Sequence, residues 1–146
     1  MSLQFRNLDI GPEQPVSEWP GEAVLAALER GSLQHWRRLV SEIREHPWGS
    51  VARKVEQALE VSQPYGVTGL MRRAIEHARA RAVLRERDEV AAMVRRLVEN
   101  SGLNQCEFAE RVGTSPSRLS TYLTGKVTPS AALMLRMQRL VESASR

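Results

Sequence analysis

Few residues of this 146-residue chain have the type and spacing that catalysis or metal binding requires. The chain has a single cysteine, Cys106, and its three histidines, His35, His46 and His77, lie too far apart for a helical metal site of the HExxH type. Glu45 and His46 are adjacent, but neighbours on a helix do not face each other. The sequence contains no nucleophile–base pair, metal-ligand cluster or phosphate-binding loop. We therefore expect neither an enzyme nor a bound metal or cofactor.

The stretch 103–130, LNQCEFAERVGTSPSRLSTYLTGKVTPS, has the most informative pattern. Asn104 can cap a helix whose apolar residues Phe108 and Val112 are four positions apart. Gly113 follows, where a tight turn requires a positive φ that glycine adopts without steric cost. The sequence therefore predicts a short helix that ends in a turn at Gly113.

A second short helix is predicted directly after this turn. Ser115 can cap it, and Pro116 occupies its first position, where proline is favoured. Leu119 and Tyr122, three positions apart, would point inward, and Gly125 would end the helix. Two short helices joined by a three- to four-residue turn that contains glycine form a helix-turn-helix.

This stretch resembles the XRE-type helix-turn-helix family of phage repressors and Cro, and the likeness covers about residues 88–143. The matching positions, at the family's spacing, are Gln105, Phe108, Ala109, Gly113, Ser115, Leu119, Tyr122, Gly125, Lys126 and Pro129. The resemblance implies a repressor-like domain of five helices whose helix 115–123 enters the major groove of double-stranded DNA. Its core residues would be Phe108, Ala109, Gly113, Leu119 and Tyr122.

The resemblance also implies which side chains meet the DNA. The positions expected to face the bases are Ser115, Pro116, Ser117, Arg118 and Thr121. The positions expected to contact phosphate are Asn104, Gln105, Thr124 and Lys126. Arg118 can offer a bidentate fork to guanine, and a phosphate contact is its alternative role. Because Pro116 has no hydrogen-bonding side chain, DNA shape and phosphates could supply part of the sequence preference.

One pair of positions departs from the family. Many members pair a buried arginine in the first helix with a glutamate near the end of the recognition helix, but the corresponding residues here are Val98 and Leu123. Packed hydrophobic residues often replace a buried ion pair without loss of stability, whereas losing one partner alone is costly. We therefore expect Val98 and Leu123 to touch.

Helices are also predicted upstream of this domain. Residues 1–20, with three prolines and no helical period, predict an extended arm or a mobile tail. Three short helices are expected over 21–61, the first ended by a left-handed cap at Gly31. No glycine or proline separates residues 70 and 101, so one continuous helix is possible. A break near Arg87–Asp88, where the aspartate could cap a new helix, is the alternative.

The role of residues 21–87 is less defined, because they resemble no known family. Trp19, Trp36, Trp48 and Tyr65 provide bulk for a small core or for an interaction surface. The stretch Arg72–Arg87 holds 6 arginines and 2 glutamates, a net charge of +4. It could add phosphate contacts or simply form a solvated helix face.

The composition is compatible with a folded chain that binds DNA, but it does not require DNA binding. The net charge is +4 and 42% of the residues are hydrophobic, with no apolar run long enough for a membrane helix and no apolar signal core at the N-terminus. We therefore expect a cytoplasmic all-α protein with an arm (1–20), a helical module for dimerisation or partner binding (21–87) and a DNA-binding domain (88–146). Its expected function is transcriptional regulation as a repressor and homodimer. The alternative is an antitoxin-like or adaptor protein whose N-terminal helices bind a protein partner.

Overall fold

The computed structural model describes residues 2–146, and over that range it contains seven α-helices and no β-strand. The all-α class expected from the sequence is confirmed. The helices are α1 (Gly21–Arg30), α2 (Leu33–Glu45), α3 (Ser50–Val61), α4 (Val67–Ser101), α5 (Gln105–Val112), α6 (Pro116–Leu123) and α7 (Ala131–Ala144), preceded by a 3-10 turn at Val16–Glu18. None of these helices is both long enough and apolar enough to cross a membrane.

The fourth helix, α4, runs without interruption for 35 residues. The continuous alternative is therefore the one observed, and Asp88 does not start a new helix. The reason is local, since no residue between 70 and 101 breaks a helix. The chain divides into two compact units, one ending at Ala82 and the other spanning Val83–Arg146. This division falls inside α4, five residues before the boundary predicted at residue 87.

The N-terminal segment is part of the first unit and contributes buried residues to its core. Leu3 and Trp19 are buried in the core of that unit. Arg38 donates hydrogen bonds to the carbonyl oxygens of Pro12 and Gln14, the latter with Nη2 at 2.6 Å. The segment consists of turns, bends and the 3-10 turn at Val16–Glu18, joined by irregular backbone. Such a segment has no helical period, and its burial therefore could not be recognised from periodicity.

The core of the first unit is formed by α1, α2, α3 and the first turns of α4. Its largest fully buried side chains are Trp19, Leu28, Leu39, Ile43 and Met71. The other aromatic residues are not in this core. Trp36 is half-buried, with Nε1 donating to the carbonyl oxygen of Ala27 at 2.9 Å, while Trp48 is 51% exposed and Tyr65 is fully exposed. Trp19 therefore belongs to the core, while Trp48 and Tyr65 lie on the surface.

Gly31 follows α1 as predicted, but the left-handed cap expected there was wrong. Its backbone is extended, with φ −79° and ψ −179°. A Cβ at this position would lie 2.2 Å from the carbonyl oxygen of Ala27. Glycine is thus required by a close backbone approach and not by a positive φ.

The second unit contains four helical segments: the C-terminal part of α4, followed by α5, α6 and α7. The resemblance implied five helices, whereas the structure has four here, and the last of them is the single helix predicted from the residues after Pro129. Ser130 caps α7 by accepting a hydrogen bond from the backbone N–H of Leu133. The core of this unit comprises Val94, Phe108, Ala109, Val112, Leu119, Tyr122, Leu133 and Met137.

Candidate nucleic-acid interface

The first motif helix, α5, begins at the predicted cap. Asn104 Oδ1 accepts a hydrogen bond from the backbone N–H of Glu107 at 2.9 Å. This bond satisfies one of the free N–H groups of the first turn and leaves the side-chain amide nitrogen of Asn104 in solvent. Gln105, the first residue of the helix, is exposed. Both residues expected to contact phosphate at this end therefore lie on the surface at a helix N-terminus.

The turn between α5 and α6 has the geometry that glycine favours. Gly113 has φ 79° and ψ 37°, in the left-handed region. Its N–H donates to the carbonyl oxygen of Glu110 at 3.2 Å, and the N–H of Thr114 donates to that of Ala109 at 2.9 Å. These two bonds form a Schellman motif, which ends α5 and redirects the chain into α6. The left-handed turn predicted at Gly113 is confirmed.

The second motif helix, α6, is anchored by two residues of its inner face. Leu119 is fully buried and Tyr122 is 9% exposed. Ser115 caps the helix, its Oγ accepting from the backbone N–H of Arg118 at 3.1 Å, and Pro116 occupies the first turn. The cap, the proline and the two anchors are all as predicted from the sequence. They fix one face of α6 against the core.

The opposite face of α6 is open to solvent at its N-terminal half. Of the five positions expected to face bases, Ser115, Pro116, Ser117 and Arg118 are exposed and Thr121 is half-buried. The Thr121 hydroxyl donates to the carbonyl oxygen of Arg118 at 2.6 Å, and the hydroxyls of Ser115 and Ser117 are 3.3 Å apart. Within residues 2–146 the Arg118 guanidinium has no hydrogen bond or ion pair with another residue. Among the residues expected to face the bases, Arg118 therefore has all of its side-chain donors available for DNA.

The loop after α6 carries the other two positions expected at phosphate. Thr124 and Lys126 are both exposed. Between them, Gly125 has φ 78°, and a Cβ there would lie 3.5 Å from the Cβ of Ala91 and 3.6 Å from the carbonyl oxygen of Arg87. The loop therefore packs on the α4 backbone, and this contact presents Lys126 at a fixed place beside the C-terminal end of α6.

Two arginines that the sequence analysis did not single out hold the ends of the motif helices. Arg95 Nη1 donates to the carbonyl oxygen of Leu123 at 2.6 Å, at the end of α6. Arg136 Nη1 donates to the carbonyl oxygen of Val112 at 3.0 Å, at the end of α5. Cations suit helix C-termini, where carbonyl groups lack partners. Each arginine comes from a different helix more than 20 positions away, so no local pattern could reveal its role.

Val98 and Leu123, the two residues expected to touch, are both half-buried. Each packs against the core of the second unit. Their direct contact stays a prediction. Arg95, one turn before Val98, links α4 to the end of α6 through the carbonyl oxygen of Leu123.

Two other sites contain residue types that can react or bind a metal ion. Cys106 is exposed and unbridged on α5. At the end of α2, ligand atoms of Glu42, Glu45 and His46 lie within 4.8 Å of one another. Exposed groups of this composition are common on protein surfaces without an ion, and they lie in the first unit, apart from the motif.

Comparison with known proteins matches the second unit to one family. Residues 89–143 match the family model described as a helix-turn-helix domain. This match begins one residue after the start of the likeness predicted from sequence and ends at the same residue. It covers less than half of the chain, and the region before residue 89 lies outside it. No curated protein and no solved structure matches the chain.

Proposed function

We propose that this chain, whose residues 89–143 are a helix-turn-helix domain of the XRE-like family, is a sequence-specific regulator that binds double-stranded DNA through α6. The observation that carries this proposal is the two-sided character of α6. Leu119 and Tyr122 are buried on one side, while the residues from Ser115 to Arg118 are exposed on the other. A rigid, outward-facing helix N-terminus is what insertion into the major groove requires.

Within this interface Arg118 is the principal base reader. Its guanidinium is free, whereas the hydroxyls of Ser115 and Thr121 already bond to the α6 backbone. Two further residues complete the face that meets the bases. Pro116 contributes shape, and Ser117 contributes one further hydroxyl. The phosphate contacts flank this face, through Asn104 and Gln105 before it and through Thr124 and Lys126 after it. These contacts position the helix, and Arg118 supplies most of the direct readout.

The regulator acts as a symmetric homodimer in the cytoplasm. Two copies of α6 would then meet half-sites about 34–36 Å apart on one face of the duplex. Repression follows if the bound dimer occupies a site that polymerase needs.

Selection from random duplexes, with the full chain as bait, tests the proposal. We expect enrichment of a two-fold symmetric sequence whose half-site centres are about 10–10.5 base pairs apart. Size-exclusion chromatography with light scattering, run on the same sample, should give the mass of a dimer on DNA. Affinity for the selected duplex should fall steeply between about 50 and 200 mM salt, because phosphate contacts release counterions. Binding without enrichment, or binding that salt does not change, would contradict the assignment.

A second role, partner binding by the first unit, has an observation in its favour. Its surface exposes several large apolar side chains, Leu33 at 53%, Val61 at 79% and the ring of Tyr65 completely. Where such side chains form a contiguous patch, they mark interaction sites. Under the antitoxin-like or adaptor hypothesis, a protein partner binds residues 2–82. The helix-turn-helix domain then regulates expression of the chain's own operon. Co-purification of a defined partner with the full chain, but not with residues 83–146, tests it.

A further inference from the structure

The apolar stripe of α2 extends beyond its fully buried part. Leu39 and Ile43 are fully buried in the core of the first unit. A second row, Leu33, Trp36 and Val40, lies beside them at spacings of three and four. Trp36 and Val40 are half-buried and pack against the core, whereas Leu33 is 53% exposed. This edge of the stripe therefore leaves apolar surface in solvent.

This second row forms one wall of an open groove. The groove has a volume of about 430 Å³, and Leu70 of α4 completes its apolar floor. The charged residues that line it are Arg37 and Arg44, which are both exposed. Neither has a hydrogen bond or an ion pair in the part of the chain that the structure describes. The groove therefore combines an apolar floor with a positive rim.

Shape and charge together specify the occupant. The lining residues of α2 span three turns, from Leu33 to Arg44, about 16 Å at 1.5 Å per residue. An amphipathic helix lays its apolar residues into such a groove at spacings of i, i+3 or i+4, and i+7. We propose that the groove binds an acidic amphipathic helix of a partner protein, three to four turns long, with carboxylates opposite Arg37 and Arg44. The proposal rests on the proposed function only in giving the first unit a protein partner.

A second copy of this chain suits the groove less well. The exposed apolar residues of α4 are Val83 and Leu84, and they are flanked by Arg81, Arg85 and Arg87. Such a basic surface would be repelled by the two arginines of the rim. This surface of a second copy would not complement the groove, whereas an acidic helix of a different chain would.

Two fluorescent helical peptides of about 14 residues provide the test. Both carry leucine at the same i, i+3, i+7 and i+10 positions, and one has glutamate and the other lysine beside that stripe. We expect saturable binding of the glutamate peptide to the full chain, measured by anisotropy, and at least about tenfold weaker binding of the lysine peptide. Arg37→Glu with Arg44→Glu, and separately Leu33→Ala, should each weaken binding of the glutamate peptide by about tenfold.

The control is Arg72→Glu, which makes the same type of substitution once, at an exposed residue of α4 that lines a different cleft with Glu56 and Glu60. It should leave peptide binding unchanged. Binding to the selected duplex and thermal unfolding are measured on every variant. These two measurements distinguish a variant that does not fold, or a chain that does not bind DNA, from a specific loss of peptide binding. Equal binding of both peptides, no saturable binding, or displacement of the glutamate peptide by random DNA would overturn the proposal. Concentration-dependent self-association that Leu33→Ala abolishes would overturn it as well, by assigning the groove to a second copy.

Discussion

Arg118 and Lys126 are both exposed cations of the motif, but they differ in what each can recognise. A guanidinium at the start of α6 can form a bidentate pair with guanine, which discriminates by about 1–3 kcal/mol, whereas an ammonium in the loop contacts phosphate of any sequence. Arg118→Ala should therefore weaken binding to the selected duplex far more than to a random duplex. Lys126→Ala should weaken both similarly, as measured by anisotropy titrations. Equal losses for Arg118→Ala on the two duplexes would make it a phosphate contact.

Under the proposed function, Arg95 is a positioning residue for α6. Its bond to the Leu123 carbonyl joins α4 to the end of α6 at 2.6 Å. Arg95→Ala should lower the free energy of unfolding by about 0.5–1 kcal/mol, since the bond is exposed, and should weaken binding to both duplexes. Arg96→Ala removes the adjacent exposed arginine, which has no such bond within residues 2–146, and serves as the control. Urea denaturation that does not separate the two variants would contradict this role.

Among the structural elements, the turn between α5 and α6 is the most sensitive to sequence. Gly113 has φ 79°, and a Cβ there would lie 3.0 Å from Arg136 Nη1. Gly113→Ala should therefore destabilise the chain by about 1–2 kcal/mol and weaken DNA binding, because both the backbone and the arginine must adjust. Gly21→Ala is the control. A Cβ at Gly21, the first residue of α1, would have nothing within 4 Å.

Combining Gly113→Ala with Arg136→Ala separates the two costs. If the side-chain contact contributes, the double variant loses less stability than the sum of the single variants, whereas the backbone cost stays. Urea denaturation of the four proteins measures this coupling. A Gly113→Ala protein as stable as Gly21→Ala would show that the left-handed geometry is not required.

At the level of the whole molecule, each unit has its own hydrophobic core. All core residues of the second unit, from Val94 to Met137, belong to Val83–Arg146. A fragment of residues 83–146 should therefore fold alone, with a helical circular dichroism spectrum and a cooperative thermal transition. It should select the same half-site as the full chain, because α6 and its supports are complete within it. An unfolded fragment would show that the first unit is needed for stability.

The sequence alone determined those features whose causes lie within a few residues of one another. The caps at Asn104 and Ser115, the turn at Gly113 and the anchors Leu119 and Tyr122 were all predicted, because capping, positive φ and helical period are local properties. The same signals indicated the helix-turn-helix family. Continuity of α4 was one of two alternatives that the local pattern allowed, and the extra fifth helix came from the resemblance rather than from the residues.

Only the tertiary structure decided the features that join distant parts of the chain. The burial of Leu3, the bond from Arg95 to Leu123 and the groove beside Leu33 depend on residues that lie far apart in sequence. Neither periodicity nor propensity carries information about such contacts, because they arise when separate elements pack. For this reason α6, its cap and its anchors could be predicted from the sequence, while the arginine bound to its end and the groove beside Leu33 could not.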